Sequence, residues 1–165
     1  MFKVGEYVVY GNKGVCQIKS VGPIDMPGVS KDRVFYTMTQ VYIKGSTIFT
    51  PADVSSGALR PVLTREEAVS LIEDFSKLSP SWIQDDKERD RLYTEAIRSA
   101  NSRALCEMII ALYRRRLSRI ADGKRATSTD ERYYHAAEDI LYGELGIALG
   151  IGIDEVKNSV MERVS

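Results

Sequence analysis

From residue 6 to residue 62 the apolar positions fall in short runs, many with period two. Tyr7, Val8, Val9 and Tyr10 form a β-branched and aromatic run after Glu6, and Gly11, Asn12, Lys13 and Gly14 supply a turn. Residues 15–21 alternate apolar and polar, and Pro23, Pro27 and Gly28 make the stretch 23–30 a loop. A strong strand is expected over residues 34–42. Lys44 and Gly45 then turn the chain into a strand over residues 46–50, which Pro51 is expected to stop. Leu59, Arg60, Pro61 and Val62 read as a final short strand. Several short strands at close spacing predict a small, curved, barrel-like sheet.

After Leu63 the period changes to that of helices. Thr64-Arg65-Glu66-Glu67 is a capping box, in which hydroxyl and carboxylate satisfy the exposed amides of a helix start. Ala68, Leu71, Ile72 and Phe75 then share one face. Ser79-Pro80-Ser81-Trp82 breaks that helix. A second helix is expected over about residues 85–98, with Leu92, Ala96 and Ile97 inward. A third follows Ser102, with Leu105, Met108, Ile109, Leu112, Tyr113, Leu117 and Ile120 on one stripe. Residues 122–126 read as a loop. Ser128-Thr129-Asp130-Glu131 is a second capping box, opening a helix with Tyr134, Ala137, Leu141, Leu145 and Ala148 in its apolar row. Gly146, Gly150 and Gly152 read as a loosened helix end, and Ile153, Val156, Val160 and Val164 mark a short closing helix. The expected class is α+β, with a small β domain over 1–63 and a helical bundle over 64–165.

Composition narrows the setting. The longest apolar-or-glycine run, residues 145–153, is far short of a membrane span. Met1-Phe2-Lys3-Val4-Gly5 leads straight into patterned chain without a basic-then-apolar leader. Cys16 and Cys106, 90 positions apart, form neither a metal-ligand pair nor a redox motif, so a reduced cytoplasmic protein is expected. Net charge is zero, but it is unevenly spread: residues 82–127 carry 11 basic and 7 acidic side chains, and residues 128–165 carry 3 and 8. A basic middle segment is thus masked by an acidic tail, which permits a local phosphate-facing surface.

Catalysis finds little to build on. His135 is the only histidine, without an evident cysteine or serine partner, and a structural or solvated role is expected. No phosphate-binding glycine loop is present, and no cofactor, metal or small-molecule ligand is expected. Trp82, the only tryptophan, lies in a proline-bearing break beside the basic segment. Two roles stand open for it: packing at the junction between the two halves, or an apolar wedge into a DNA minor groove. Lys87, Arg91 and Arg98 can line one helix face, but Asp85 with Arg89 and Arg91 with Glu95 have i,i+4 spacing, so surface pairing is expected there. Arg114, Arg115, Arg116 and Arg119 are less neutralised, yet three adjacent arginines fan around a helix. Arg115 and Arg119, one turn apart, are the better phosphate pair, with Lys124 and Arg125 in the following loop. In the β half, the strand ending at Pro51 either offers an open edge to another protein's sheet or is blunted by that proline.

These residues resemble the CarD/CdnL family of bacterial RNA-polymerase-binding regulators. The likeness is carried by residues 2–10 with Gly14 and Val15, by Thr47-Ile48-Phe49-Thr50-Pro51 and by Leu59-Arg60. In the helical half it is carried by Trp82, by Leu112-Tyr113-Arg114-Arg115 and by residues 140–145. The first block is shared with the polymerase-interaction module of transcription-repair coupling factors. The helical half, and the absence of an ATPase motif from the sequence, favour the regulator. The resemblance implies a Tudor-like β-barrel that binds the N-terminal lobe of the polymerase β subunit by sheet extension. Thr47, Ile48, Phe49 and Pro51 then fall in the polymerase-facing region. It also implies a helical domain that contacts promoter DNA, largely independently of sequence, at the upstream edge of the transcription bubble. By position Trp82 matches the family's minor-groove wedge, and Arg89 and Arg91 correspond roughly to basic DNA-contacting positions. Two departures stand out: Phe49 where some relatives have an arginine, and Ala136 and Glu138 where some are basic. Together with the acidic tail, the second implies weak DNA contact that depends on delivery by polymerase. A polymerase adaptor whose helical half recruits another protein is the rival reading.

Overall fold

The computed structural model describes residues 1–53 and 59–164. They fall into two compact units, Met1–Val62 and Leu63–Ser165.

The first unit is an antiparallel sheet of β1 (Tyr7–Tyr10), β2 (Val15–Gly22), β3 (Phe35–Gln40), β4 (Ile48–Pro51) and β5 (Leu59–Pro61), in the order β4-β3-β2-β1-β5. A single 3-10 turn over Gly11–Lys13 joins β1 to β2, with Gly11 at φ 47° and Gly14 at φ 73°, conformations that a side chain would strain. Val8, Cys16, Ile18, Tyr36, Met38 and Leu59 form the buried cluster, flanked by Phe2, Tyr10, Val21, Ile48 and Ala52. In a flat sheet β1 and β4 would stand about 14 Å apart, three strand spacings. Yet the Tyr10 hydroxyl donates to Thr50 Oγ1 at 3.3 Å. The sheet therefore curls, as its short, closely spaced strands predict.

Strand β4 ends at Pro51, where the proline is expected to stop it. Pro51 lies opposite Phe35, and Ala52 N still donates to Val34 O at 3.0 Å. Backbone groups alternate in direction along a strand. Ala52 and Thr50 therefore face β3, and Phe49 and Pro51 face the outer edge. The amide that proline lacks is one that β3 never needed.

The second unit holds α1 (Arg65–Lys77), α2 (Asp86–Ser99), α3 (Ser102–Ala121), α4 (Ser128–Leu149) and α5 (Ile153–Val164). Helix α4 is central, packing against the other four. It is accordingly buried on several sides, from Tyr133 and Tyr134 through Leu145 and Gly146. The Thr64 capping box forms with both hydrogen bonds, Glu67 N to Thr64 Oγ1 at 3.1 Å and Thr64 N to Glu67 Oε1 at 3.0 Å. Ala68, Leu71, Ile72 and Phe75 are all buried, and burial of a phenylalanine of this kind stabilises by about 2–3 kcal/mol. Glu144 is fully buried and accepts the backbone amide of Leu63 at 2.9 Å, fixing the start of the unit on its central helix.

Four local expectations are corrected. Helix α2 turns Tyr93 and Ala96 inward and leaves Leu92 exposed, because the Tyr93 ring meets Tyr133 of α4 edge-on at 5.5 Å. In α3 burial ends at Leu112, and Leu117 and Ile120 are 46% and 57% exposed. Helix α4 is capped by Thr127, whose Oγ1 accepts from Asp130 N at 3.1 Å, so Ser128 is its first helical residue and not its cap. Its end is not loosened at Gly146, which lies buried within the helix. The helix stops at Gly150, at φ 68°, with Ile151 N returning to Gly146 O at 3.0 Å.

Candidate functional site

Trp82 lies in the segment between α1 and α2, partly buried, and two guanidinium groups stand over its ring. Arg89 Cζ is 4.5 Å and Arg115 Cζ 5.2 Å from the ring centroid. Contacts of this kind contribute about 0.5–1 kcal/mol when exposed and about 2 when desolvated. Sequence positions on α2, on α3 and in the break between helices thus converge on one indole.

The two arginines differ in what else they hold. Arg89 is a largely enclosed side chain, 15% exposed. Its Nη1 donates to Ile83 O at 2.7 Å and its Nη2 to Asp86 Oδ1 at 2.6 Å. For Arg115, no carboxylate among the described residues lies within ion-pair distance, although Asp86, Asp90 and Asp130 line the same cavity.

Beside Trp82 opens a cavity of about 660 Å³ lined by residues of α2, α3 and the start of α4. Its cations are Lys87, Arg89 and Arg115, and Asp86, Asp90 and Asp130 balance them. Asp90 accepts a hydrogen bond from the Tyr133 hydroxyl, and Asp130 is buried. The lining is therefore mixed in charge and does not form a strongly basic groove. Burial pushes the neighbouring Tyr93 hydroxyl up to about 12.

The remaining basic candidates form a second group one helical turn farther along α3. Arg119 Nε donates to Arg125 O at 2.6 Å and Arg119 O accepts from Lys124 N at 2.8 Å, which folds the loop back on the helix end. The Lys124 and Arg125 side chains are exposed, two or three residues before the cap of α4. Arg91 stands apart. It does not line the cavity and makes two hydrogen bonds to Glu88, 3.2 and 2.7 Å. Those bonds hold the Glu88 carboxyl below its ordinary range. The surface ion pairs of α2 are thus i,i+3, Arg89 with Asp86, Arg91 with Glu88 and Arg98 with Glu95, in place of the i,i+4 pairs that spacing suggests.

The arginine fan of α3 divides by task. Arg114 donates to Ser79 Oγ at 3.0 Å and to Leu78 O at 3.3 Å. Arg116 binds both oxygens of Glu131, at 2.9 and 3.1 Å, and covers the Tyr134 ring at 4.3 Å. Only the middle member reaches Trp82. Sequence reading left Arg114 unassigned, and its one signal was its place next to Arg115, opposite a proline-bearing break.

His135 sits between two carboxylates of its own helix, with Nε2 3.2 Å from Glu131 Oε2 and Nδ1 3.2 Å from Glu138 Oε1. Glu138 is buried with Lys157 Nζ at 3.9 Å, so its charge is partnered within the helical unit. Among the described residues no group of three or more histidine, cysteine or carboxylate side chains is placed to hold a metal, and no helix is long and apolar enough to cross a membrane.

In the first unit, Phe49 is 45% exposed while Ile48 packs on the core and Thr50 is buried. Thr47 precedes the strand and is exposed. Among the described residues no strand pairs with the outer edge of β4. That edge presents the Phe49 amide and carbonyl and the Pro51 carbonyl, beside the Phe49 ring.

A search of curated proteins gives no match to the chain. Residues 2–63 match the family model described as the CarD-like/TRCF RID domain, which indicates an RNA-polymerase-interacting transcription factor; that domain is regulatory and is not a known enzyme family. The N-terminal unit is thus similar to the CarD-like/TRCF RID domain, and the chain is consistent with a CarD-like family member.

Proposed function

We propose that this protein docks on the β-subunit lobe of bacterial RNA polymerase through the outer edge of β4 and steadies the open promoter complex through Trp82. The observation that carries the reading is the convergence of Trp82, Arg89 and Arg115 in a chain whose other unit matches the CarD-like/TRCF RID domain. The β4 edge offers Phe49 as an apolar anchor and unpaired backbone for sheet extension. Tethering raises the local concentration of the helical unit at the promoter, so weak DNA affinity suffices. The balanced charge of the cavity accords with weak affinity. Arg115, Arg119, Lys124 and Arg125, with Arg91 at the margin, would place the unit on phosphates without reading sequence. The indole, flanked by Arg89, would favour a distorted base step over closed duplex and so shift the population toward the open complex.

One observation favours the rival adaptor reading: Leu117 and Ile120 are exposed on the same helix as Arg115 and Arg119. Footprinting within the polymerase–promoter complex separates the two. Salt-sensitive protection at the upstream edge of the bubble supports DNA contact. A footprint identical with and without the protein supports the adaptor.

A further inference from the structure

The chain from Leu78 to Asp85 that carries Trp82 is held at both ends by arginines. At its entry Arg114 of α3 binds Leu78 O and Ser79 Oγ. At its exit Arg89 of α2 binds Ile83 O at 2.7 Å, one residue beyond Trp82, while its guanidinium lies over the indole at 4.5 Å. Asp86 occupies the other arm of Arg89 at 2.6 Å, and the side chain is mostly enclosed. A guanidinium is a planar fork. In Arg89 one prong holds a backbone carbonyl, the second holds a carboxylate, and the face covers the ring. Two of its five N–H donors are thus spent inside the fold, and little of the side chain is open to a phosphate.

We propose that Arg89 and Arg114 are positioning residues that clamp the Trp82 segment, and that Arg89 is not a phosphate contact. The consequence for transcription rests on the proposed role of Trp82 at the promoter, but the clamp itself does not. It separates the arginines near the indole into two classes. Arg89 sets where the ring stands, and Arg115, in no direct ion pair among the described residues, can turn its charge to another partner. A clamped ring loses less freedom on insertion than a mobile one, so each insertion is more favourable.

The full chain supplies its own probe, because Trp82 is the only tryptophan and fluorescence excited at the red edge of absorption, beyond the tyrosine band, reports on it alone. In Arg89→Gln and in Arg114→Gln, acrylamide quenching of Trp82 is expected to rise and its emission to shift. In Arg91→Gln, whose side chain pairs with Glu88 away from the ring, both stay at the parent values. Arg89→Lys keeps a charge and the reach to Ile83 O but lacks the planar face, so it restores part of the parent signal. In the polymerase–promoter complex the salt dependence of binding keeps its parent slope in Arg89→Gln, whereas loss of a true phosphate contact lowers that slope by about one. Unchanged quenching in both Arg89→Gln and Arg114→Gln overturns the clamp, and a slope lowered by about one in Arg89→Gln overturns its assignment as a non-contact. If the clamp variants raise quenching but Trp82→Ala leaves the open-complex lifetime unchanged, the clamp stands and the promoter role of Trp82 falls.

Discussion

Arg115 Cζ stands 5.2 Å from the centroid of the Trp82 ring, and no carboxylate among the described residues pairs with it. Its neighbours in the fan are committed elsewhere, Arg114 to the Leu78 carbonyl and Arg116 to Glu131. Arg115 is therefore the α3 cation with the freest charge beside the indole. Arg115→Gln should weaken promoter contact nearly uniformly across sequences and lower the salt slope of the polymerase-tethered complex by about one. An unchanged slope would remove Arg115 from the phosphate-contacting set.

On the first unit, Phe49 is exposed beside unpaired backbone on the outer edge of β4. Phe49→Glu should lower affinity for the polymerase β lobe on the order of thirtyfold, about 2 kcal/mol, as loss of an aromatic anchor does. Thermal stability should change little, because the side chain already faces solvent. Binding at the parent affinity would place the interface on another part of the sheet.

Helix α4 begins under Thr127 and not under Ser128. Thr127→Ala should destabilise the helical unit by about 1 kcal/mol, whereas Ser128→Ala should fall within about 0.5 kcal/mol of the parent. Denaturant unfolding followed by far-UV circular dichroism measures both. Equal losses would contradict this assignment of the cap.

Both thiols are buried, and burial pushes Cys16 from its ordinary 9.0 to about 11 and Cys106 from 9.0 to about 12. The folded chain therefore keeps these protons at pH values where the unfolded chain releases them. Their effect on stability is absent below 9.0, and stability falls as pH rises from there through about 11 and about 12. The Tyr93 hydroxyl acts in the same direction between 10.0 and about 12. Denaturant midpoints measured across the alkaline range should decline above that onset, and a thiol reagent at roughly pH 8 should label neither cysteine until the chain unfolds. Midpoints that stay flat to about pH 11 would refute the burial argument.

Much of the fold was legible because local rules and packing agree there. The period-two runs became β1 to β3 and the 64–67 capping box formed as read, with Ala68, Leu71, Ile72 and Phe75 all inward. Errors arose where a partner decided between neighbours. Leu92 and Tyr93 are adjacent on α2, and only the Tyr133 ring of α4 selects the tyrosine. Leu117 and Ile120 extend the stripe of α3 in sequence, but burial on that helix stops at Leu112, and periodicity does not show where packing ends. Strand β4 does end at Pro51, but sequence does not say which side of an edge strand its missing amide would face. In the candidate site, Trp82 and Arg115 could be singled out by chemistry. The division of Arg114, Arg115 and Arg116 among a backbone carbonyl, an indole and a glutamate could not, since it depends on the direction of each side chain around α3.

The central claim is that Trp82 acts on promoter DNA once the β unit has bound polymerase. The most direct test is the lifetime of the open complex formed with Trp82→Ala, measured with the variant's occupancy of polymerase held equal to that of the parent. The account predicts undiminished polymerase binding and a lifetime shortened toward that of polymerase alone. A lifetime equal to the parent's at full occupancy would contradict it.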